Sequence, residues 1–102
     1  MAKDSYTLRY LPIAVEDLIS IFDWISLDSP NRAAAFVARL DKRVGRLEST
    51  PLMGRVPKDE KIRKLRYRIL ILDDYLVFYT IRGQIIEIHR VVHGSRQLDT
   101  II

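Results

Sequence analysis

Beyond the middle of this chain the hydrophobic period changes from about 3.6 residues to 2, and that change restricts its fold more than any other feature. Val15, Leu18, Phe22 and Ile25 recur at spacings of three and four, with Ile19 and Ile21 widening the stripe. The pattern predicts an amphipathic helix over about 13–27. Pro12 suits its first turn, where no N–H is needed. Glu16 and Asp17 are expected in that turn, where the helix dipole favours carboxylates. Asp28-Ser29-Pro30 breaks the pattern. Ser29 is a good N-cap and Pro30 a good first residue for a second helix. Ala33, Phe36, Val37, Leu40, Val44 and Leu47 then recur at helical spacing to about Glu48. Arg39, Lys42, Arg43 and Arg46 fall on the opposite side and its flanks. So few residues join the two helices that they should form an antiparallel hairpin.

Beyond Glu48 the chemistry is that of a loop. Pro51, Gly54 and Pro57 punctuate it, and the charged run Lys58-Asp59-Glu60-Lys61 prolongs it. The period-2 region follows. Leu65, Tyr67, Ile69 and Ile71 alternate with Arg66 and Arg68, which predicts a strand. Asp73-Asp74 is a turn. Tyr75 to Ile81 is a nearly continuous apolar strand, expected to be central. Arg82-Gly83 is a tight turn in which Gly83 takes positive φ, and Gln84 to Val92 is the next strand. Ser95 to Ile102 is a short tail. At the other end, Tyr6 to Tyr10 alternates and reads as a short strand. Helices grouped together and strands grouped together mean α+β. The expected architecture is a short N-terminal strand, an antiparallel two-helix hairpin, an antiparallel sheet of three to four strands and a short C-terminal tail.

At 102 residues, with 48% hydrophobic and 29% charged residues, the chain suits one core, so residues 1–102 are expected to form a single domain. There is no cysteine. Thiol catalysis, disulfides and cysteine-bound zinc or iron–sulfur centres are therefore excluded. No apolar run approaches the roughly 20 residues that span a bilayer, so no membrane association is expected. Met1 to Ser5 is polar and no signal peptide is expected; the cytoplasm is the simplest compartment. The net charge of +4 is uneven. Residues 1–31 carry two cations against five carboxylates, net −3, whereas residues 39–68 carry eleven cations against four, net +7. A basic middle suits an acidic partner, either nucleic acid or an acidic protein segment.

Several short motifs accumulate along this framework. Ala14-Val15-Glu16-Asp17-Leu18 opens the first helix, and Leu47-Glu48-Ser49-Thr50-Pro51-Leu52-Met53-Gly54-Arg55 closes the second. Ile62-Arg63-Lys64-Leu65, Tyr75-Leu76-Val77-Phe78-Tyr79 and Arg90-Val91-Val92-His93-Gly94-Ser95-Arg96 mark the strand region. In this order they resemble the RelE/ParE superfamily of toxins from bacterial type II toxin–antitoxin systems, long labelled plasmid stabilisation proteins. The resemblance implies a growth-inhibiting toxin neutralised by a cognate antitoxin. RelE-like members are ribosome-dependent mRNA endonucleases (mRNA interferases). ParE-like members poison DNA gyrase, and no catalytic triad is assigned to them. No cofactor is implied. Sequence-specific DNA binding is not expected of this chain, because it has no recognition-helix pattern and the antitoxin usually carries that domain.

The branch turns on a few residues. Metal-free RNA cleavage needs a base for the 2′-hydroxyl, a cation for the charged phosphorane and an acid for the leaving oxygen. RelE-like nucleases resembling this chain commonly place an arginine directly after the tyrosine matching Tyr75; here it is Leu76. This favours the ParE-like branch. Were the chain a metal-independent endoribonuclease, Arg68, Arg90 and His93 would have to supply the missing charge and proton. Glu87, His89 and His93 share a strand face by period-2 counting. His89 and His93 are about 13 Å apart along a strand, too far to share a metal, and no metal site is expected. Tyr67, Tyr75 and Tyr79 read as the core side of a sheet rather than a base-stacking platform. Arg90, His93 and Arg96, spaced three apart across the junction from strand to tail, are the expected toxicity surface. Trp24, Arg39, Arg43, Arg46 and Arg66 are the expected antitoxin contacts.

Overall fold

The structure, a computed structural model, describes residues 5–95. Strand β1 (Thr7–Tyr10) leads into helix α1 (Pro12–Ser26) and helix α2 (Pro30–Gly45). Two 3₁₀ turns, Arg46–Glu48 and Pro51–Met53, precede a short helix α3 (Glu60–Lys64). Strands β2 (Arg68–Leu72), β3 (Tyr75–Arg82) and β4 (Ile85–His93) complete the fold. The caps explain the helix boundaries. The Ser29 hydroxyl accepts from the Arg32 N–H, and Asp59 accepts from the Lys61 and Ile62 N–H groups at the start of α3. Helix α1 has Pro at its first position and no side-chain cap. It starts at Pro12, so Glu16 and Asp17 lie past its first turn and the expected dipole role is not theirs.

The four strands form one sheet in the order β1-β4-β3-β2. Pairs β2–β3 and β3–β4 are antiparallel, but β1 runs parallel to β4. The sheet is therefore mixed, not antiparallel throughout. A parallel pair needs a long crossover, and everything between β1 and β4 serves as one. Both β3 and β4 are internal strands. Asp73 and Gly83 take positive φ, 53° and 60°, in the two hairpin turns.

The α1–α2 hairpin covers one sheet face. Ala14 and Ile21 of α1 and Phe36, Leu40 and Val44 of α2 pack on Leu70, Val77, Tyr79, Ile86, Ile88 and Val91. The opposite face carries a smaller cluster, where Ile62 of α3 covers Ile69, Phe78 and Val92. This second cluster was not legible in the pattern. It accounts for the displaced start of β2, which begins at Arg68 rather than near Leu65. Residues 60–64 form α3 instead of loop, Arg66 turns the chain with φ 67°, and Leu65 stays exposed.

Candidate functional site

A bulge in β4 organises the polar residues. Tyr79 pairs with Ile88 and Phe78 with Arg90, so His89 is an extra residue in the ladder. The bulge inverts the alternation. Ile86 and Ile88 face the helices before it, and Val91 faces them after it. His93 follows Val91 to the helix side, where its ring meets Tyr75 edge-on, centroids 5.3 Å apart. Glu87 and His89 remain on the opposite face. The expected shared face of Glu87, His89 and His93 is thus broken.

Beyond the bulge β4 has an outer edge without a strand beside it, because β1 ends opposite Ile88. Helix α1 supplies an acceptor there. The Asp17 carboxylate accepts from the Val91 N–H at 2.9 Å, from Arg90 Nε at 2.8 Å and from Arg90 Nη2 at 3.0 Å. Both side chains are largely buried, and this two-point bond to Asp17 raises the Arg90 pKa. The pair was missed in the sequence. Its signal was a carboxylate on the buried row Ala14, Asp17, Leu18 and Ile21, where a charge requires a partner. Arg90 is therefore bound to α1. His93 is exposed, and its Nδ1 lies 2.8 Å from Ser95 Oγ. Arg96 and the apolar tail residues Leu98, Ile101 and Ile102 lie outside the described residues.

Arg68 is also engaged. It donates to the Gly54 carbonyl at 2.8 Å and the Leu52 carbonyl at 3.4 Å. The same loop is fastened from inside by Tyr79. That hydroxyl accepts from the Gly54 N–H at 2.9 Å and donates to the Pro51 carbonyl at 2.7 Å. A Cβ on Gly54 would sit 2.7 Å from the Tyr79 ring and hydroxyl, so glycine is required there by space. Burial raises the Tyr79 pKa, opposed by the Gly54 N–H and Arg68. Tyr79 is core, Tyr75 is half-buried against Phe36 with centroids 5.0 Å apart, and Tyr67 belongs to the opposite face. The three tyrosines form no common platform.

Tyr67 instead meets His89. Its hydroxyl lies 3.2 Å from His89 Nδ1, and Thr80 Oγ1 lies 3.0 Å from Nε2. Glu87 is 3.7 Å from Nε2 and 3.6 Å from Arg82. A carboxylate beside Nε2 favours the proton there, so the Tyr67 hydroxyl donates to Nδ1. Burial lowers the His89 pKa against the pull of Glu87, and Arg82 adds to the lowering. The net lowering favours the neutral ring. This constellation too was absent from the sequence reading, because a bulge cannot be counted by period 2.

The expected antitoxin contacts divide between two regions. Trp24, 70% exposed, borders a groove with Phe36, Arg39, Tyr75 and His93. Arg39 pairs with Asp73 and lies over the Phe36 ring. Arg43 and Arg46 are exposed near the end of α2. Arg66 sits apart, in a notch with Arg63, Tyr67 and Arg68. Among the described residues no three His, Asp or Glu side chains cluster to hold a metal, and no helix is long and apolar enough to cross a membrane.

A helical hairpin over a four-stranded mixed sheet, entered by a parallel edge strand, is the architecture of the RelE/ParE toxin superfamily. Residues 8–98 match the family described as the ParE toxin of the type II toxin–antitoxin system parDE, and the chain belongs to that family. Among solved structures it is similar to a chain of the chromosomal ParDE toxin–antitoxin system from P. aeruginosa. The TM-score is 0.74 at 22% identity, covering 89% of this chain and 98% of that one. It is also similar to a chain of the RelBE2 toxin–antitoxin complex from Mycobacterium tuberculosis, with a TM-score of 0.62 at 24% identity, covering 87% and 98%. No curated protein matches it.

Proposed function

We propose that this toxin acts on DNA gyrase in the cytoplasm and is neutralised by an acidic antitoxin segment. The observation that carries the reading is the engagement of the groups a nuclease would need. Arg68 is held by two loop carbonyls and Arg90 by Asp17. Leu76 packs beside the Phe78 cluster where a cation is wanted. Stabilising a phosphorane requires donors aimed at the reacting phosphate, and these point elsewhere. His93 is exposed, and Arg39, which shares its groove, is paired with Asp73. Inhibition by surface binding asks for no such convergence, and His93 and Arg96 are the residues proposed to meet the target, with Arg90 holding β4 to α1.

The antitoxin is proposed to lie along the Trp24 groove and to reach Arg39, Arg43 and Arg46. Leu27, 82% exposed, adds apolar surface beside Trp24. An acidic segment matches the arginines in charge, and the relatives named above are themselves toxin–antitoxin systems. Controlled expression in bacteria tests the target. Plasmid supercoiling should fall before translation slows. Cleaved mRNA with normally supercoiled plasmid would transfer the assignment to the endonuclease branch.

A further inference from the structure

The edge of the sheet where β2 begins carries a second feature that the toxin reading leaves unused. Between the end of α3 and the start of β2 lies a notch of about 260 Å³, lined by Val56, Arg63, Arg66, Tyr67, Arg68 and Ile81. Every charged side chain in that lining is a guanidinium, and no carboxylate is among them. Two nearby acids are engaged elsewhere: Asp59 caps α3, and Glu60 pairs with Lys64 at 3.6 Å. Glu87, on the face away from the α1–α2 hairpin, is mostly buried between Arg82 and His89. None of the ion pairs of the described residues involves Arg63 or Arg66.

Two details make this more than a solvated basic patch. Arg66 has φ 67°, a left-handed conformation costing roughly 1 kcal/mol or more for a residue with a Cβ. Glycine would remove that cost, yet an arginine stands there. The position closes α3, where the Arg66 N–H donates to the Arg63 carbonyl, and the left-handed turn sets the direction in which the side chain leaves the helix end. Tyr67 is fixed as well. Its ring meets Phe78 and His89 edge-on, with centroids 6.1 and 4.9 Å away, and its hydroxyl is committed to His89. The ring therefore offers rigid aromatic surface, not charge. Val56 and Ile81 extend it with apolar surface.

We propose that this notch binds the backbone of single-stranded nucleic acid, with Arg63 and Arg66 contacting phosphates and Tyr67, Val56 and Ile81 supporting a base or sugar. Unpaired guanidinium groups suit phosphate geometry. Adjoining aromatic and apolar surface suits an unstacked base and has no use for a paired one. A carboxylate-rich peptide would use the cations and leave the ring without a planar partner. The assignment does not depend on whether gyrase or mRNA is the toxin's target.

Fluorescence anisotropy with labelled oligouridylate and oligothymidylate on the purified full chain tests it. Neutralising two phosphates on a single strand gives a slope of log K against log salt of about −1.4. Arg66→Gly should weaken binding by about five-fold or more and bring the slope near −0.7. It should also melt no lower than the parent, since it relieves the left-handed strain. Lys42→Gln, on the far helix, should leave affinity within two-fold, a change of about 0.4 kcal/mol. A preference for the ribo- or deoxyribo-oligomer identifies the natural strand and supports the site either way. The proposal is overturned if Arg66→Gly and Lys42→Gln weaken binding equally, if no saturable binding occurs at 50 mM salt, or if poly-glutamate of equal charge displaces the oligomers as well as they displace themselves.

Discussion

Replacing Asp17 with alanine should cost this protein much of its stability, and the magnitude follows from its surroundings. The Asp17 and Arg90 side chains are 14% and 17% exposed. The substitution takes a two-point acceptor from Arg90 and the acceptor of the Val91 N–H on the edge of β4. Removing one partner of a buried pair costs roughly 3–5 kcal/mol, and an orphaned buried donor adds about 1–3. The two costs overlap, since one carboxylate serves both donors, and Arg90 keeps a further interaction and some water at the exposed sixth of the pair, so about 2–4 kcal/mol is expected, against roughly 5–15 for a whole domain. For a chain this size that is a fall of about 10–25 °C in Tm. Asp17→Asn keeps an acceptor for Val91 and should lose about half as much. Asp17→Leu with Arg90→Met removes both charges and should recover most of the loss. The Arg39–Asp73 pair provides the contrast. Its side chains are 52% and 49% exposed, so Arg39→Ala should cost under about 1 kcal/mol. Thermal melts by circular dichroism, with urea titrations to verify an unchanged m-value, give these numbers. An Asp17→Ala variant melting within about 3 °C of the parent would refute the reasoning. Loss of toxicity in an Arg90 variant can be read as functional only when its melting temperature is normal.

Gly54→Ala should destabilise by at least about 1–3 kcal/mol, since its Cβ meets the Tyr79 ring and hydroxyl; a neutral result in a urea titration would contradict the placement of that loop. Tyr79→Phe should cost about 1–3 kcal/mol, because the Gly54 N–H and the Pro51 carbonyl both lose their partner; a double-mutant cycle with Arg68→Met should show coupling, as both side chains hold the same loop. The His89 pKa is lowered in the fold, so the folded state binds fewer protons than the unfolded one. This contribution is fully present above the unfolded value of about 6.5 and is lost as pH falls toward the folded value. The slope of stability against pH just below 6.5 should therefore flatten in His89→Gln, and an unchanged slope would show that His89 is not its source.

The hairpin, the order of elements and the central place of β3 were all legible in the sequence, because each rests on a local pattern. Ser29 and Pro30 mark a helix start by their own chemistry, and Gly83 marks a turn by its permitted φ. What was not legible depends on pairing at a distance. Nothing local says that β1 docks parallel to the last strand. Nothing local says that one extra residue at His89 turns His93 to the helix side, since alternation carries no mark of a bulge. Helix α3 is five residues long, too short for a period, and its evidence was the Asp59 cap inside a run that reads as a charged loop. The functional residues divide the same way. Trp24 stood out as a large aromatic beside the apolar stripe and is exposed. Arg90 was recognised as important, but its partner lies 73 positions away, and without Asp17 its buried role could not be assigned.

The most direct test of the central claim is a supercoiling assay with purified gyrase, relaxed plasmid and increasing amounts of this protein. Inhibition that rises with toxin concentration, accompanied by trapped gyrase-bound DNA breaks, is the predicted result. The inhibition should weaken in His93→Ala while the melting temperature holds. Undiminished supercoiling at toxin excess over gyrase, with mRNA cut when ribosomes are supplied, would contradict the account.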